Sequence, residues 1–303
     1  MSGIVVPASL AATHAYYNGP AGDAWIAALP ELAATFLEHW QLRLDGPSSN
    51  GMVALVLPVR RADGTPAVLK LQPVDEETIG EALALRTWAG RGAVRLLDED
   101  ATTGTMLLER LDGSRSLSAL PDDMHALRIL SELLARLAAV PAPAGLRHLS
   151  DVAARMLERV PQALSVLPDT GERDLVQRCA AALSEVVPEA GDRLLHWDLH
   201  YDNVLAGERE PWLAIDPKPL AGDPGFELLP ALHNRWEEVV ASGDVGRAVR
   251  RRFDLMVDVV GLDRQRARAW TLGRVLQNTL WGTEYGETTM DAVQRAIAEA
   301  LLA

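Results

Sequence analysis

A chain of 303 residues, 48% hydrophobic and 23% charged, is long enough to bury a sizeable core in one unit or in two lobes. A net charge of −13 argues against a nucleic-acid partner, which would demand Lys and Arg patches, and leaves room for a small cationic one. The single cysteine, Cys179, excludes an internal disulfide and a cysteine-rich metal site, and suits a reducing compartment.

Residues 1–22 carry no Lys, Arg, Asp or Glu, but there is no basic start and the apolar run is broken by Pro7, His14 and Pro20, so no signal peptide is read there. No apolar stretch approaches membrane-spanning length, and a cytoplasmic protein without membrane association is expected. From Asp23 to Trp40, apolar residues recur at helical spacing, with Asp23 as N-cap and a bend near Pro30. Residues 44–51 are turn chemistry throughout. Residues 52–59 and 66–72 read as a strand pair joined by a hairpin turn at Arg61–Gly64. Gly46, Gly51, Ser48 and Ser49 could bring backbone N–H groups close to phosphates, although on the loop alone a plain β-turn is the better account.

Lys70 is sharper. It is the only lysine in the first 200 residues and lies inside an apolar strand, where an ammonium needs a partner. A helix over 75–89 offers Glu77 and Glu81 on one face, and Glu81 sits beside the apolar stripe of Leu85 and Trp88. Strands over 94–98 and 105–111 follow, with an acidic turn at 98–100. The chain breaks at Asp112-Gly113, so the lobe boundary is placed there: 1–111 as a nucleotide-binding lobe and 112–303 as a catalytic and substrate-binding lobe. In kinase-like folds a strand running into a Gly-containing linker is the hinge, and there the backbone of Glu109 and Leu111 would hydrogen-bond adenine. Helices are expected over 124–140, 149–166 and 171–187, and four more over 226–240, 245–260, 263–282 and 288–302.

Between the two helical groups lie short apolar runs, Leu194-Leu195, Val204–Ala206 and Trp212–Ile215, separated by polar residues. They read as strands carrying Asp198, Asn203 and Asp216 to one end. One carboxylate there could accept a hydroxyl proton, while an amide oxygen and a second carboxylate hold Mg²⁺ against nucleotide phosphates. His196-x-Asp198-x-x-x-x-Asn203 with a distal Asp has the order of a protein-kinase-like catalytic loop and metal aspartate. His196 is expected to support the loop, and Asp223 to cap the turn before Phe226. The rival from another class is a metal-dependent hydrolase using the alternating His196, Asp198 and His200. A nucleotide-binding pseudoenzyme is disfavoured because every expected catalytic side chain is present.

Several stretches together resemble the aminoglycoside phosphotransferases, most closely their streptomycin 6-phosphotransferase branch, with a relation to hydroxyurea phosphotransferases. They are Arg61-Ala-Asp-Gly-Thr with Leu-Lys70-Leu, Thr105–Arg115, His196–Leu205, Arg209–Pro217, Gly222–Phe226 and Leu276–Trp281. The resemblance implies an α+β, bilobal protein-kinase-like fold with a β-rich N-terminal lobe and a mainly helical C-terminal lobe. It also implies ATP-dependent phosphorylation of a streptomycin hydroxyl, conferring resistance, with Asp198 as base and Asn203 and Asp216 on Mg²⁺. Hydroxyurea or an amino sugar is the alternative acceptor. Trp197 stands where protein kinases carry an arginine, Asp216-Pro-Lys replaces Asp-Phe-Gly, and no activation segment is found, which favours a constitutive small-molecule kinase acting as a monomer or weak dimer. A polycationic drug calls for carboxylates and ring faces; Glu227, Trp281 and Glu284 are the candidates, with Glu237 and Glu238 beside them.

Overall fold

The computed structural model describes residues 4–303. The chain divides into two compact units, Met1–Asp112 and Gly113–Ala303. The fold is α+β, with the largest sheet in the first unit and most of the helices in the second.

The first unit opens with α1 (Ala8–His39), which starts well before the expected Asp23 because the alanine-rich stretch ahead of it is itself helical. Its bend is at Gly19 (φ 52°, ψ −135°), immediately before Pro20, and not at Pro30. A side chain at Gly22 would meet the His14 carbonyl oxygen at 2.3 Å, so the two helical segments close on each other only because Gly22 has none. Then come β1 (Arg43–Leu44), β2 (Ser49–Asn50), β3 (Leu55–Arg60), β4 (Pro66–Leu71), α2 (Glu81–Trp88), β5 (Leu96–Asp100) and β6 (Thr105–Glu109). Five strands run in the antiparallel order β1-β3-β4-β6-β5, with β2 also on β3. Alternate residues Leu55, Leu57 and Val59 and their partners Ala67, Leu69 and Leu71 pack with Leu10, Leu29, Ala33 and Phe36 of α1.

Two expected boundaries move for local reasons. Residues 75–80 form a turn, not the first turns of α2, because the Asp75 carboxylate accepts the N–H groups of Glu77 (2.8 Å) and Thr78 (2.9 Å). The acidic triplet 98–100 is strand, with a bulge between Leu96 and Asp98, and the turn falls at 101–104.

The second unit begins with β7 (Asp112–Ser116) where a linker was expected, followed by α3 (Asp123–Ala138), β8 (Arg147–His148), α4 (Leu149–Val166) and α5 (Thr170–Val186). After β9 (Arg193–Leu195), β10 (Val204–Ala206), β11 (Leu213–Ala214) and β12 (Leu220–Gly222) come α6 (Leu228–His233), α7 (Trp236–Ala241), α8 (Val245–Val260), α9 (Arg264–Glu284) and α10 (Ala292–Leu302). The helix expected over 226–240 is split at Arg235, which is left-handed (φ 53°). The reason is tertiary: buried Arg252 takes the carbonyls of Asn234 (2.9 Å) and Arg235 (3.2 Å), which a continuous helix would have used itself. Buried on nearly every side, α9 packs against α5 and the short 3₁₀ turn at Pro224–Glu227. No helix among the described residues is long and apolar enough to cross a membrane.

Candidate active site

The polar insert is held by two small sheets. Strand β9 pairs with β12 (Leu195 opposite Leu220), and β10 pairs with β11 (Val204 opposite Ala214). That pairing brings Ile215 beside Asn203, whose carbonyl accepts the Ile215 N–H at 2.9 Å, and so places Asp216 next to the loop. The Asn203 side chain donates through Nδ2 to the Asp198 carbonyl at 2.9 Å, a bond in which its amide oxygen takes no part. Asp198, Asn203 and Asp216 are thereby linked through adjacent backbone.

His196 is the brace. Its Nε2–H donates to the Ile215 carbonyl at 3.0 Å, its Nδ1 accepts the Asp198 N–H at 3.3 Å, and its own carbonyl accepts the Lys218 N–H at 3.0 Å. A ring that donates from Nε2 and accepts at Nδ1 is neutral. Burial agrees, pulling its pKa down to about 4 against the attraction of Asp198. This overturns the metal-hydrolase reading. The His196 ring spends both nitrogens on backbone, His200 Nδ1 accepts the Asp202 N–H, and no group of three or more His, Cys, Asp or Glu among the described residues could hold a metal ion.

Two loop residues adopt left-handed backbone, Trp197 (φ 65°) and Asp216 (φ 61°). Such conformations persist when neighbours over-determine them. At Trp197 the neighbours are plain: its N–H donates to Glu227 Oε1 at 2.5 Å and its carbonyl accepts from Arg274 Nη2 at 3.2 Å. The guanidinium groups of Arg274 and Arg147 each lie 4.8 Å from its ring centroid.

These contacts correct the substrate assignments. Glu227 is fully buried and braces Trp197, so it cannot meet a soluble cation; burial lifts its pKa to about 7, opposed by the Trp197 hydrogen bond. Exposed Glu284 already pairs with Arg159 at 2.7 Å, and Glu238 with Arg235. Trp281 is half-buried, 6.3 Å from Trp197 between ring centroids and near Arg274, so it serves the same cluster.

Lys218 had no role in the sequence reading. Its Nζ lies 3.6 Å from Asp198 Oδ2, with both side chains about one-third exposed. The available signal was compositional, since Lys70 and Lys218 are the only two lysines among 303 residues.

In the first unit, Lys70 Nζ donates to both oxygens of Glu81 (2.7 and 2.8 Å), and Gln72 Nε2 donates to Oε2 at 2.6 Å. All three side chains are buried. Around Ser48 and Ser49 the loop is less open than expected: the Ser48 hydroxyl donates to the Val5 carbonyl, Ser49 sits in β2, and the Gly51 N–H is spent on the Ala54 carbonyl. Glu109 ends β6, exchanging backbone and carboxylate hydrogen bonds with Arg95, and Leu111 lies in the short connection to β7.

The chain belongs to the aminoglycoside/hydroxyurea antibiotic resistance kinase family, whose profile matches residues 39–286. It is 57% identical over 298 residues to a streptomycin 6-kinase of Streptomyces glaucescens, covering 98% of this chain and 97% of the relative. It is 58% identical over 301 residues to a hydroxyurea phosphotransferase of Kitasatospora aureofaciens, covering 99% and 86%. Among solved structures it resembles an aminoglycoside phosphotransferase in ternary complex with ADP and hygromycin B, with a TM-score of 0.57 at 16% identity, over 89% of this chain and 97% of that one.

Proposed function

We propose that this kinase transfers the γ-phosphoryl group of ATP to a hydroxyl of streptomycin, its 6-hydroxyl, and so confers resistance to the drug. The observation that carries the reading is the hydrogen-bonded assembly of Asp198, Asn203 and Asp216 in a family whose members include streptomycin 6-kinases. Asp198 accepts the proton of the attacking hydroxyl. Lys218 beside it offsets the negative charge that gathers where the phosphoryl group is received. The Lys70 ammonium, aimed by Glu81, binds nucleotide phosphate, Ser48 and Ser49 lie in the loop covering the phosphates, and the backbone of Glu109 and Leu111 receives the adenine.

The donor set fits Mg²⁺: an amide oxygen from Asn203 and a carboxylate from Asp216 are hard oxygen ligands, and the neighbouring His196 ring has both nitrogens engaged by backbone. When bound, Mg²⁺ neutralises charge on the β- and γ-phosphates. The protein's own part is to hold that pair in register, which the Asn203–Ile215 and His196–Ile215 bonds do. Working as a monomer or weak dimer in the cytoplasm completes the reading.

Hydroxyurea stays as the second acceptor, because a hydroxyurea phosphotransferase is as similar to this chain as the streptomycin enzyme. The deciding experiment measures ADP release from Mg-ATP with streptomycin, with hydroxyurea and without acceptor, for the wild type and Asp198→Asn. Turnover with streptomycin that disappears in the variant supports the proposal. Turnover with hydroxyurea alone transfers the chemistry to that acceptor, and turnover undiminished in the variant removes Asp198 from it.

A further inference from the structure

Three contacts tie the segment around Ser48–Ala54 to the N-terminal segment of the chain. Ser48 Oγ donates to the Val5 carbonyl, Ser9 Oγ donates to Asn50 Oδ1 at 2.9 Å, and His14 Nε2 lies 3.0 Å from the Val53 carbonyl. The third is the most constrained. His14 is 1% exposed, and since a carbonyl only accepts, its Nε2 carries the proton. Asn18 Nδ2 donates to the other nitrogen, Nδ1, at 3.3 Å, so the ring is neutral with its proton directed at Val53. Trp25 stacks on the ring at 4.5 Å with 28° between planes. Gly19 and Gly22 allow the close return of the helix on which this arrangement depends.

The bond has a target worth fixing. Within the same loop the Gly51 N–H donates to the Ala54 carbonyl at 3.0 Å and Asn50 Nδ2 donates to the Gly51 carbonyl at 2.8 Å. Val53 lies in the four-residue turn Gly51–Ala54 that the first of these bonds closes, so holding its carbonyl holds the turn. Packing alone would be met by phenylalanine at position 14; a buried histidine with both nitrogens engaged is there for the hydrogen bond.

We propose that His14 is a positioning residue for nucleotide binding, its Nε2–H holding the Val53 carbonyl so that residues 48–54 are preorganised for the phosphates. The inference rests on the reading that this loop meets the nucleotide, and the experiment separates the two. Amide hydrogen exchange of residues 48–54 is measured with and without Mg-ADP, and the affinities for Mg-ADP and for streptomycin are measured by calorimetry. Wild type is compared with His14→Phe, which keeps the ring stacked on Trp25 without a donor, and His14→Gln, whose amide N–H replaces Nε2–H.

The expected result is nucleotide protection of the loop in the wild type and Mg-ADP affinity weakened about tenfold in His14→Phe, because the released loop holds its binding conformation only about a tenth of the time. Streptomycin affinity stays unchanged, the melting temperature falls by a few degrees because the buried Val53 carbonyl loses its donor, and His14→Gln restores most of the nucleotide affinity. Unchanged Mg-ADP affinity in His14→Phe, with the wild-type loop protected, overturns the inference and leaves the loop reading standing. Equal loss of both affinities together with the melting temperature assigns His14 to the fold alone. A wild-type loop that Mg-ADP does not protect removes the loop reading and this inference together.

Discussion

The Lys70–Glu81 pair offers the sharpest energetic test, because it is both buried and proposed to serve the nucleotide. Lys70 and Glu81 side chains are 5% and 2% exposed, and the carboxylate accepts two bonds from the ammonium and one from Gln72. Consider Glu81→Leu, Lys70→Met and the double variant. Glu81→Leu leaves the ammonium and the Gln72 amide without their acceptor, and stranding one member of a buried pair costs about 3–5 kcal/mol. Lys70→Met costs less, about 2–3 kcal/mol, since Glu81 keeps its bond from Gln72 and can take up a proton. The double variant strands no charge but still leaves the buried Gln72 amide without its acceptor, so it falls within about 1–3 kcal/mol of wild type. The coupling in the cycle is then at least about 2 kcal/mol, well beyond additivity.

Urea unfolding followed by tryptophan fluorescence reads this directly, because fully buried Trp88 lies on the same helix as Glu81. Single-variant losses below about 1 kcal/mol, or additive ones, would refute the electrostatic reasoning. The functional half is separate: the double variant, though folded, loses Mg-ATP affinity because its ammonium is gone. A folded double variant with wild-type nucleotide affinity would remove Lys70 from phosphate binding.

Four further outcomes follow from the second unit. Acidification weakens the fold through His196. Its folded pKa of about 4 lies below the ordinary 6.5, so the stability it contributes is full above pH 6.5 and lost as pH falls toward 4, about 3 kcal/mol in all; a His196→Gln variant should show correspondingly less loss in denaturant titrations across that window. Glu227 acts in the opposite sense: with its pKa raised to about 7, its contribution is full below pH 4.5 and lost as pH rises through 7, and Glu227→Gln should flatten that limb. Lys218→Met should lower kcat by about 10²-fold with the melting temperature unchanged, read from steady-state ADP release, while equal kcat would dismiss its role beside Asp198. Glu284→Gln should leave streptomycin KM within about twofold, since its charge is already met by Arg159; a tenfold rise would return it to the substrate site.

The parts legible in the sequence were those fixed by neighbours along the chain. The apolar runs around 194–195, 204–206 and 212–215, and the period of α3, α4 and α5, signal their elements directly, while the bilobal fold was what the family resemblance implied. Asp223 likewise accepts the Gly225 N–H at 2.8 Å, as its place in Gly-Asp-Pro-Gly implies. What escaped was settled by partners far away in sequence. Arg252 cuts one expected helix in two by taking its carbonyls, and Glu227 looked like a surface acid until Trp197, 30 residues earlier, claimed it. No local pattern announces that an arginine on α9 will stack on Trp197, in the loop that carries Asp198.

The two kinds of cation in the chain divide along a physical line. Arginines make the buried, many-armed joints: Arg252 joins Asp123 to three carbonyls, and Arg274 joins Trp197 to Gln277. A planar guanidinium with five donors suits a fixed joint, and its charge is spread out and weakly hydrated. An ammonium is a compact point charge on a flexible stem, better suited to following a phosphoryl group as it shifts. The only two lysines stand at Glu81 and at Asp198. On this argument Lys70→Arg and Lys218→Arg, which keep the charge, should fail nearly as badly as the neutral variants in turnover; arginine variants with wild-type kcat and ATP KM would show that charge alone is what these positions need.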